Sequence, residues 1–363
     1  MIIGVPSEVK NNEKRVGLTP DSVKTLVNDG NEIYIQKGAG ASIGFYDDHY
    51  EKAGAKILND AESVYKSSQL VVKVKEPIPS EYKYLRDDLS LFTYLHLAGD
   101  IENAKKLIDT GVTGIAYETV TADDGSMPLL APMSNIAGQI SFTVGSYHLL
   151  KHNKGKGILI GKMDNLDQRI VTVIGGGVAG TQAISKAKDN NAFVKVIDLS
   201  QERLNSLKVQ FGSESIEYIL SSSHSIQDAI SQSDIVIGAV YVVGKEAPKV
   251  VTKDMLVSMD PGTVMVDISI DQGGCFETSQ PTTHDKPTFL VEDIVHYCVT
   301  NMPGAVPLTA TQALNNVTIP YIQQLANNGI SKALDENIHL KNGLNISKGE
   351  VLHPGVKEAL NNI

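Results

Sequence analysis

The chain has 363 residues, 42% hydrophobic and 20% charged, with a formal net charge of −10. That length exceeds one ordinary core and predicts two domains, and the acidic balance argues against nucleic acid as a partner. No apolar run approaches the ~18 residues of a bilayer span, and the opening MIIGVPSEVKNNEKR puts charge after its apolar start, the reverse of a signal peptide, so no membrane association and a cytoplasmic setting are expected.

In chain order, MIIGVPSE reads as a strand and Val9 to Arg15 as a polar loop. A helix follows with Thr19 as N-cap, Pro20 at its first position, Val23, Leu26 and Val27 on one face and Gly30 as its stop. NEIYIQ is the next strand, KGAGASIGF a glycine-rich turn, Asp47 to Ala55 a short helix, and Asp60 the cap of another helix through Ser67. LVVKVK reads as a buried strand stopped by Pro77, SLFTYLHL as a strand with His96 near its carboxyl end, IENAKKLIDTG as a helix and VTGIAYETV as a strand. Alternating strand and helix predict an α/β unit with a doubly wound parallel sheet. SNIAGQISFTVGSYHLLKH is lightly charged and helical in period, and a second long helix is expected over Thr309 to Ala326. The expected organisation is two Rossmann-like domains joined by these helices. Residues 1–130 plus 309–363 would form one, discontinuous domain, and 131–308 the other.

The second domain opens on RIVTVIGGGVAGTQAISKAKDNNAFVKVID. IVTVI is a continuous β-branched run, as a parallel strand buried on both faces requires. Gly175, Gly177 and Gly180 then form G-x-G-x-x-G, with Gly175 for the turn, Gly177 for close approach to a pyrophosphate and Gly180 for close helix packing. The helix that follows would aim its N-terminal N–H groups at phosphate. Asp198 ends the next strand 198 − 180 = 18 residues past the last glycine, where a carboxylate accepts ribose hydroxyls and repels a 2′-phosphate. The pattern predicts NAD over NADP, with Arg203 as the residue able to weaken that preference.

Ligands of open α/β sheets bind beyond the carboxyl ends of the strands. Arg15, Lys75, His96 and Asp271 fall at such ends. Each also has a plain structural reading: a solvated loop arginine, an edge-strand charge or a partner for Glu76, a core histidine and a loop turn. Their shared placement beside a dinucleotide fold raises all four. Arg15 offers a fork that matches a carboxylate through two parallel bonds. His148 and His152 are spaced i, i+4 without a third ligand nearby, so a surface or helix-end pair is expected and no metal site. His284 reads as a loop residue, and Cys275 and Cys298 as buried structural thiols.

Taken together, MIIGVPSEVKNNEKRVGLTP, VVKVKEPI, YLHLA, AYETV, LLAPMSNIAG, VIGGGVAG, DISIDQGGCFE and HYCVTNMPGAVP resemble the NAD-dependent alanine dehydrogenase family. The likeness runs from the first residue to beyond Pro320. It implies a homohexamer that converts L-alanine to pyruvate and ammonia, as in alanine degradation. It also implies Arg15 and Lys75 on the substrate carboxylate and carbonyl, with His96 and Asp271 as acid and base. Around NAD it implies Ser134, Val178, Ala179, Asp198, Arg203, Ser221, Val240, Tyr241, Ile268, Asp271, Asn301 and Met302. Gln280 stands where several relatives carry an arginine, and a one-residue insertion before Ser221 leaves Ser222 as its alternative. Two other readings stand beside this one. The first is the NAD-binding subunit of a transhydrogenase, which usually lacks the lysine–histidine pair; the second is a dehydrogenase of another small amino acid, such as a saccharopine-dehydrogenase relative.

Overall fold

The computed structural model describes residues 1–242 and 246–361. The chain divides into two compact units, Met1–Met133 with Val306–Ile363, and Ser134–Ala305.

The first unit starts with β1 (Ile2–Val5), α1 (Pro20–Asn28), β2 (Glu32–Gln36), α2 (Asp47–Lys52), β3 (Lys56–Leu58), α3 (Ala61–Ser67), β4 (Leu70–Val72), β5 (Ser90–Thr93), α4 (Ile101–Asp109) and β6 (Thr113–Ala116). Local chemistry sets the helix starts. Thr19 Oγ1 accepts the Ser22 N–H at 3.2 Å ahead of Pro20, and Asp60 Oδ1 accepts the Ser63 N–H at 2.8 Å. After α5 (Ala131–His148) come β7 (Ile170–Ile174), α6 (Val178–Asp189), β8 (Phe193–Asp198), α7 (Gln201–Phe211), β9 (Ile216–Leu220), α8 (Ser223–Ser231), β10 (Ile235–Gly238), β11 (Val264–Asp267), β12 (Thr288–Val291) and β13 (Ile294–Tyr297). The chain then returns to the first unit through α9 (Pro307–Asn328), β14 (Leu344–Ser347) and β15 (Glu350–Val351).

The first sheet is ordered β15-β14-β6-β5-β4-β1-β2-β3 and the second β12-β13-β11-β10-β7-β8-β9. Ignoring the added antiparallel strands β14, β15 and β12, both have the Rossmann order, with the reversal at β1/β4 in one and β7/β10 in the other. Alternate residues separate the two faces of the second sheet. Val171 and Val173 pack with α6 and α7 through Ile184 and Leu207, whereas Ile174 and Val236 pack with α8 through Ile226 and Ile230. Helices therefore cover both faces, the doubly wound α/β arrangement expected.

Several strands are shorter than their apolar runs. β4 stops at Val72, β5 at Thr93 and β6 at Ala116, so Lys75 and His96 lie in loops past the strands and not within them. The β12–β13 hairpin was illegible because its turn residues, Glu292 at φ 49° and Asp293 at φ 58°, are not the Asn-Gly or Gly-Gly that usually mark two left-handed positions.

Candidate functional site

In the first unit, Arg15 and Lys75 follow β1 and β4, the strands that flank the reversal in strand order, and His96 follows the neighbouring β5. Arg15 is 2% exposed, so it is not the solvated loop arginine that its sequence context allows. Its Nε donates to Glu13 Oε1 at 2.7 Å and its Nη2 to Glu13 Oε2, while Nη1 lies 3.1 Å from Met133 Sδ. Burial alone would pull the guanidinium down, but the bonds and charge of Glu13 outweigh it and push it up. The Nε/Nη2 edge of its fork is spent on Glu13, because a buried guanidinium needs a counter-charge.

Lys75 is also buried, and its ammonium has no hydrogen-bond or ion-pair partner among the described residues. It therefore does not pair with Glu76, which instead takes Lys10 as its ion partner and keeps Oε2 buried without a hydrogen bond among the described residues. Burial would raise the Glu76 carboxyl, yet the positive fields of Lys75, His96 and Lys10 hold it below the usual range.

His96 is half-buried, with a backbone φ of 50°. Its ring lies nearly parallel to Tyr94, centroids 5.7 Å apart and planes at 11°. Neither ring nitrogen has a hydrogen-bond partner among the described residues. Tyr94 is itself tied down, its hydroxyl donating to the Leu129 carbonyl at 2.6 Å.

Beneath these residues is a buried charged group that sequence reading missed. Lys73, 1% exposed, ion-pairs with Glu81 at 2.9 Å and Glu8 at 3.2 Å. Glu8 Oε1 also accepts the Val74 N–H at 2.7 Å, and the Tyr65 hydroxyl donates to Glu81 at 2.8 Å. Burial pushes Glu8 up even against the attraction of Lys73. The buried-strand reading of LVVKVK said nothing of Lys73's partners, because no local pattern identifies its distant acids.

In the second unit, the glycine turn joins β7 to α6. Gly175 has φ 98°, and a Cβ there would meet the Ala239 carbonyl oxygen at 2.5 Å. A Cβ on Gly180 would sit 1.8 Å from the Gly175 oxygen, whereas one on Gly177 would meet nothing within 4 Å. Gly177 is also the N-cap of α6 and supplies no side-chain acceptor, so the first-turn N–H groups are left for a ligand. Val178 is exposed and Ala179 half-buried on that turn.

Asp198 ends β8. Its Oδ2 accepts the Gly176 N–H at 2.7 Å and its Oδ1 the Ser200 N–H at 2.8 Å. Arg203 braces the same loop, with Nε donating to the Gly176 carbonyl at 2.7 Å and Nη2 to Thr181 Oγ1 at 2.6 Å. Ser221 follows β9, and its N–H donates to the Asp198 carbonyl at 2.9 Å. Ser222 is committed to capping α8 through a reciprocal pair with Ser225, which separates the two serines by role.

Val240 and Tyr241 follow β10, Tyr241 half-exposed, and the Val240 carbonyl accepts from Ser269 Oγ at 2.7 Å. Ile268 and Asp271 lie on the short 3-10 turn Ile268–Gln272 after β11. Asp271 is exposed, while Asp267 before it is fully buried and accepts the Ser269 and Cys275 N–H groups and the Ser279 hydroxyl. Burial pushes the Asp267 carboxyl up, with these donors opposing it. Asn301 has φ 61°, its carbonyl lies 3.3 Å from His284 Nε2, and Met302 is buried in the core. Ser134 is half-buried on α5.

Of the remaining histidines and cysteines, the His148/His152 pair departs from its sequence reading, while the two cysteines match theirs. His152 is exposed, but His148 is buried against Tyr297, ring centroids 5.7 Å apart, so the two do not form a surface pair. Cys275 and Cys298 are both free and buried. Among the described residues, no helix is long and apolar enough to cross a membrane.

Two family matches cover most of the chain: Alanine dehydrogenase/PNT, N-terminal domain, at residues 4–137, and Alanine dehydrogenase/PNT, C-terminal domain, at 141–354. The chain is 48% identical over 360 residues to the alanine dehydrogenase of Staphylococcus haemolyticus (strain JCSC1435), covering 99% of this chain and 96% of that one. It is 48% identical over 361 residues to the alanine dehydrogenase of Bacillus subtilis (strain 168), covering 99% and 95%. A solved L-alanine dehydrogenase structure superposes with a TM-score of 0.95 at 46% identity, over 100% of this chain and 99% of that one. The transhydrogenase structure from Sinorhizobium meliloti gives a TM-score of 0.82 at 25% identity, over 98% and 99%.

Proposed function

The chain belongs to the alanine dehydrogenase/PNT family, and from that premise we propose how its residues carry out the reversible NAD-dependent oxidative deamination of L-alanine to pyruvate and ammonia. Residues 1–130 with 309–363 serve as the substrate domain and 131–308 as the NAD domain. The observation that carries the assignment is the first unit's own chemistry: the buried residue Lys75, whose ammonium has no hydrogen-bond or ion-pair partner among the described residues, beside strand ends that also carry Arg15 and a His96 whose ring nitrogens no described residue bonds. That pair also distinguishes this reading from a transhydrogenase subunit.

NAD, when bound, supplies the hydride acceptor for the alanine Cα. The residues present fit it. The α6 N-terminus lacks a side-chain cap, Gly177 leaves open space, and Asp198 is placed beside the glycine loop. Gly175, Gly177, Val178, Ala179 and Gly180 would take the pyrophosphate and Asp198 the ribose. Arg203, Ser134, Ser221, Val240, Tyr241, Ile268, Asp271, Asn301 and Met302 would line the rest.

Alanine's ammonium must lose a proton before its Cα can release hydride, and the resulting imine carbon must take up water before ammonia departs. His96 carries those protons, since an imidazole can donate from one ring nitrogen and accept at the other. Lys75 stabilises negative charge as it develops on the substrate oxygen. Arg15, with Glu13 fixing its plane, holds the substrate carboxylate, and the exposed Asp271 carboxylate orients water or the departing ammonia. The enzyme works as a cytoplasmic homohexamer in alanine catabolism. A panel of small amino acids followed by NADH absorbance tests the activity, and size-exclusion chromatography with light scattering tests the hexamer. No NADH formation from alanine would overturn the reading.

A further inference from the structure

We infer that Glu118 is the positioning residue of His96, acting on its main chain and not on its ring. The β5–β6 ladder ends at the Thr93–Ala116 pair. Past that point the next acceptor is a side chain: Glu118, on the Tyr117–Thr119 turn. Glu118 Oε1 accepts the His96 N–H at 2.6 Å, and its two oxygens accept the Leu95 N–H at 3.2 and 3.3 Å. A carboxylate thus replaces the carbonyls that a longer β6 would have offered, with the added strength of a charged acceptor. The strand stops there, and His96 enters the left-handed region at φ 50°, which a residue with a Cβ adopts only when its surroundings impose it. On its other side, the His96 carbonyl accepts the Gly99 N–H at 2.9 Å.

A histidine that moves protons is commonly oriented by a bond to one ring nitrogen. Here no described residue bonds either nitrogen, and the ring stacks on Tyr94. The direction in which the imidazole leaves the backbone is therefore set by the turn, and the turn by Glu118. Both nitrogens stay open to substrate and water.

This inference rests on the proton-carrying role of His96, and the test separates the two. Glu118→Ala, Glu118→Gln, His96→Ala and the double variant are made in the full-length enzyme. kcat and KM for alanine, the NADH dissociation constant and the thermal midpoint are measured for each. Glu118→Ala should lower kcat roughly tenfold to hundredfold, as expected when a reacting group shifts by about an ångström, with NADH affinity unchanged. Glu118→Gln keeps an oxygen for the His96 N–H and should recover most of kcat. The double variant should be no slower than His96→Ala. An equal additional loss in the His96→Ala background, or parental kcat in Glu118→Ala, overturns the inference while leaving His96 in place. Parental kcat in His96→Ala overturns the proton-carrying role itself. If Glu118→Ala does not fold, Glu118→Asp, which withdraws the carboxylate by one methylene, is read against the same outcomes.

Discussion

Two alanine substitutions three residues apart should fail for different reasons. At Gly180 the added methyl would sit 1.8 Å from the Gly175 carbonyl oxygen, and both partners are backbone. Reaching even about 3.0 Å requires α6 and the turn to separate by more than an ångström, overpacking at the upper end of the ~1–3 kcal/mol usual for such insertions. Gly180→Ala should therefore lower the thermal midpoint and weaken NADH binding together. At Gly177 the methyl meets no protein atom within 4 Å, and the backbone, at φ −64° and ψ −162°, suits an L-residue. Alanine is only a poorer N-cap than glycine, a cost of about 1 kcal/mol or less. A methyl there stands where backbone must approach the pyrophosphate, so one or two charge-assisted hydrogen bonds of roughly 1.5–3 kcal/mol each would be lost. Tenfold or greater weakening of NADH binding follows, with a nearly unchanged midpoint. Fluorescence titration with NADH and differential scanning calorimetry on both variants read the two quantities separately. Parental NADH affinity in Gly177→Ala would refute the placement of the dinucleotide on this turn.

Asp198→Ala should narrow the preference for NAD over NADP, measured as the ratio of kcat/KM values; equal activity of the parent with both cofactors would contradict the role given to Asp198. Lys75→Ala and His96→Ala proteins should remain folded and bind NADH while losing deamination, and a near-parental kcat in either would remove that residue from the mechanism. His296 is fully buried, with Nδ1–H donating to the Ile294 carbonyl at 3.1 Å and Nε2 accepting from Thr278 at 2.8 Å. Burial pushes it below 6.5 against the opposing bond to Ile294, so the unfolded chain takes up the proton first. Stability from its neutral form is present above 6.5 and lost as pH falls below that value toward the folded pKa. His148 and His353, also lowered by burial, act in the same direction. The thermal midpoint should fall between pH 6.5 and 5, and His296→Gln should make the fall shallower; an unchanged slope would count against His296.

The features legible in the sequence were those coded by short-range chemistry. Thr19-Pro20 and Asp60 announced their helices, and the VIGGGVAG turn with Asp198 announced the nucleotide-binding strand, helix and acid. Lys75 and His96 could be placed at strand ends because β-branched and apolar runs stop near them. What stayed hidden depended on residues distant in sequence. The Glu13 clamp on Arg15 looked like an ordinary loop acid, Lys73 meets its acids only after β1, β4 and the Glu81 turn come together, and Glu118 reaches the amides of Leu95 and His96 across a strand end. Patterning could not shorten β5 either, since its apolar run continues to Leu97 while the ladder does not. The Glu292-Asp293 turn concealed β12 and β13 for the opposite reason: its left-handed geometry is imposed by pairing and not by residue type.

The shared strand order of the two sheets has an evolutionary consequence. At the reversal point of the second sheet, the proposed cofactor recognition would be built from peptide groups at a turn whose glycines at 175 and 180 leave no room for a side chain. Drift there is nearly all-or-nothing, because most single codon changes insert a side chain into the turn. At the reversal point of the first sheet, the corresponding loop is long, and the chemistry proposed there would rest on side chains such as Arg15 and Lys75. Those can be exchanged one at a time while the chain path is kept. The family should therefore diversify in what it oxidises far more readily than in what it reduces.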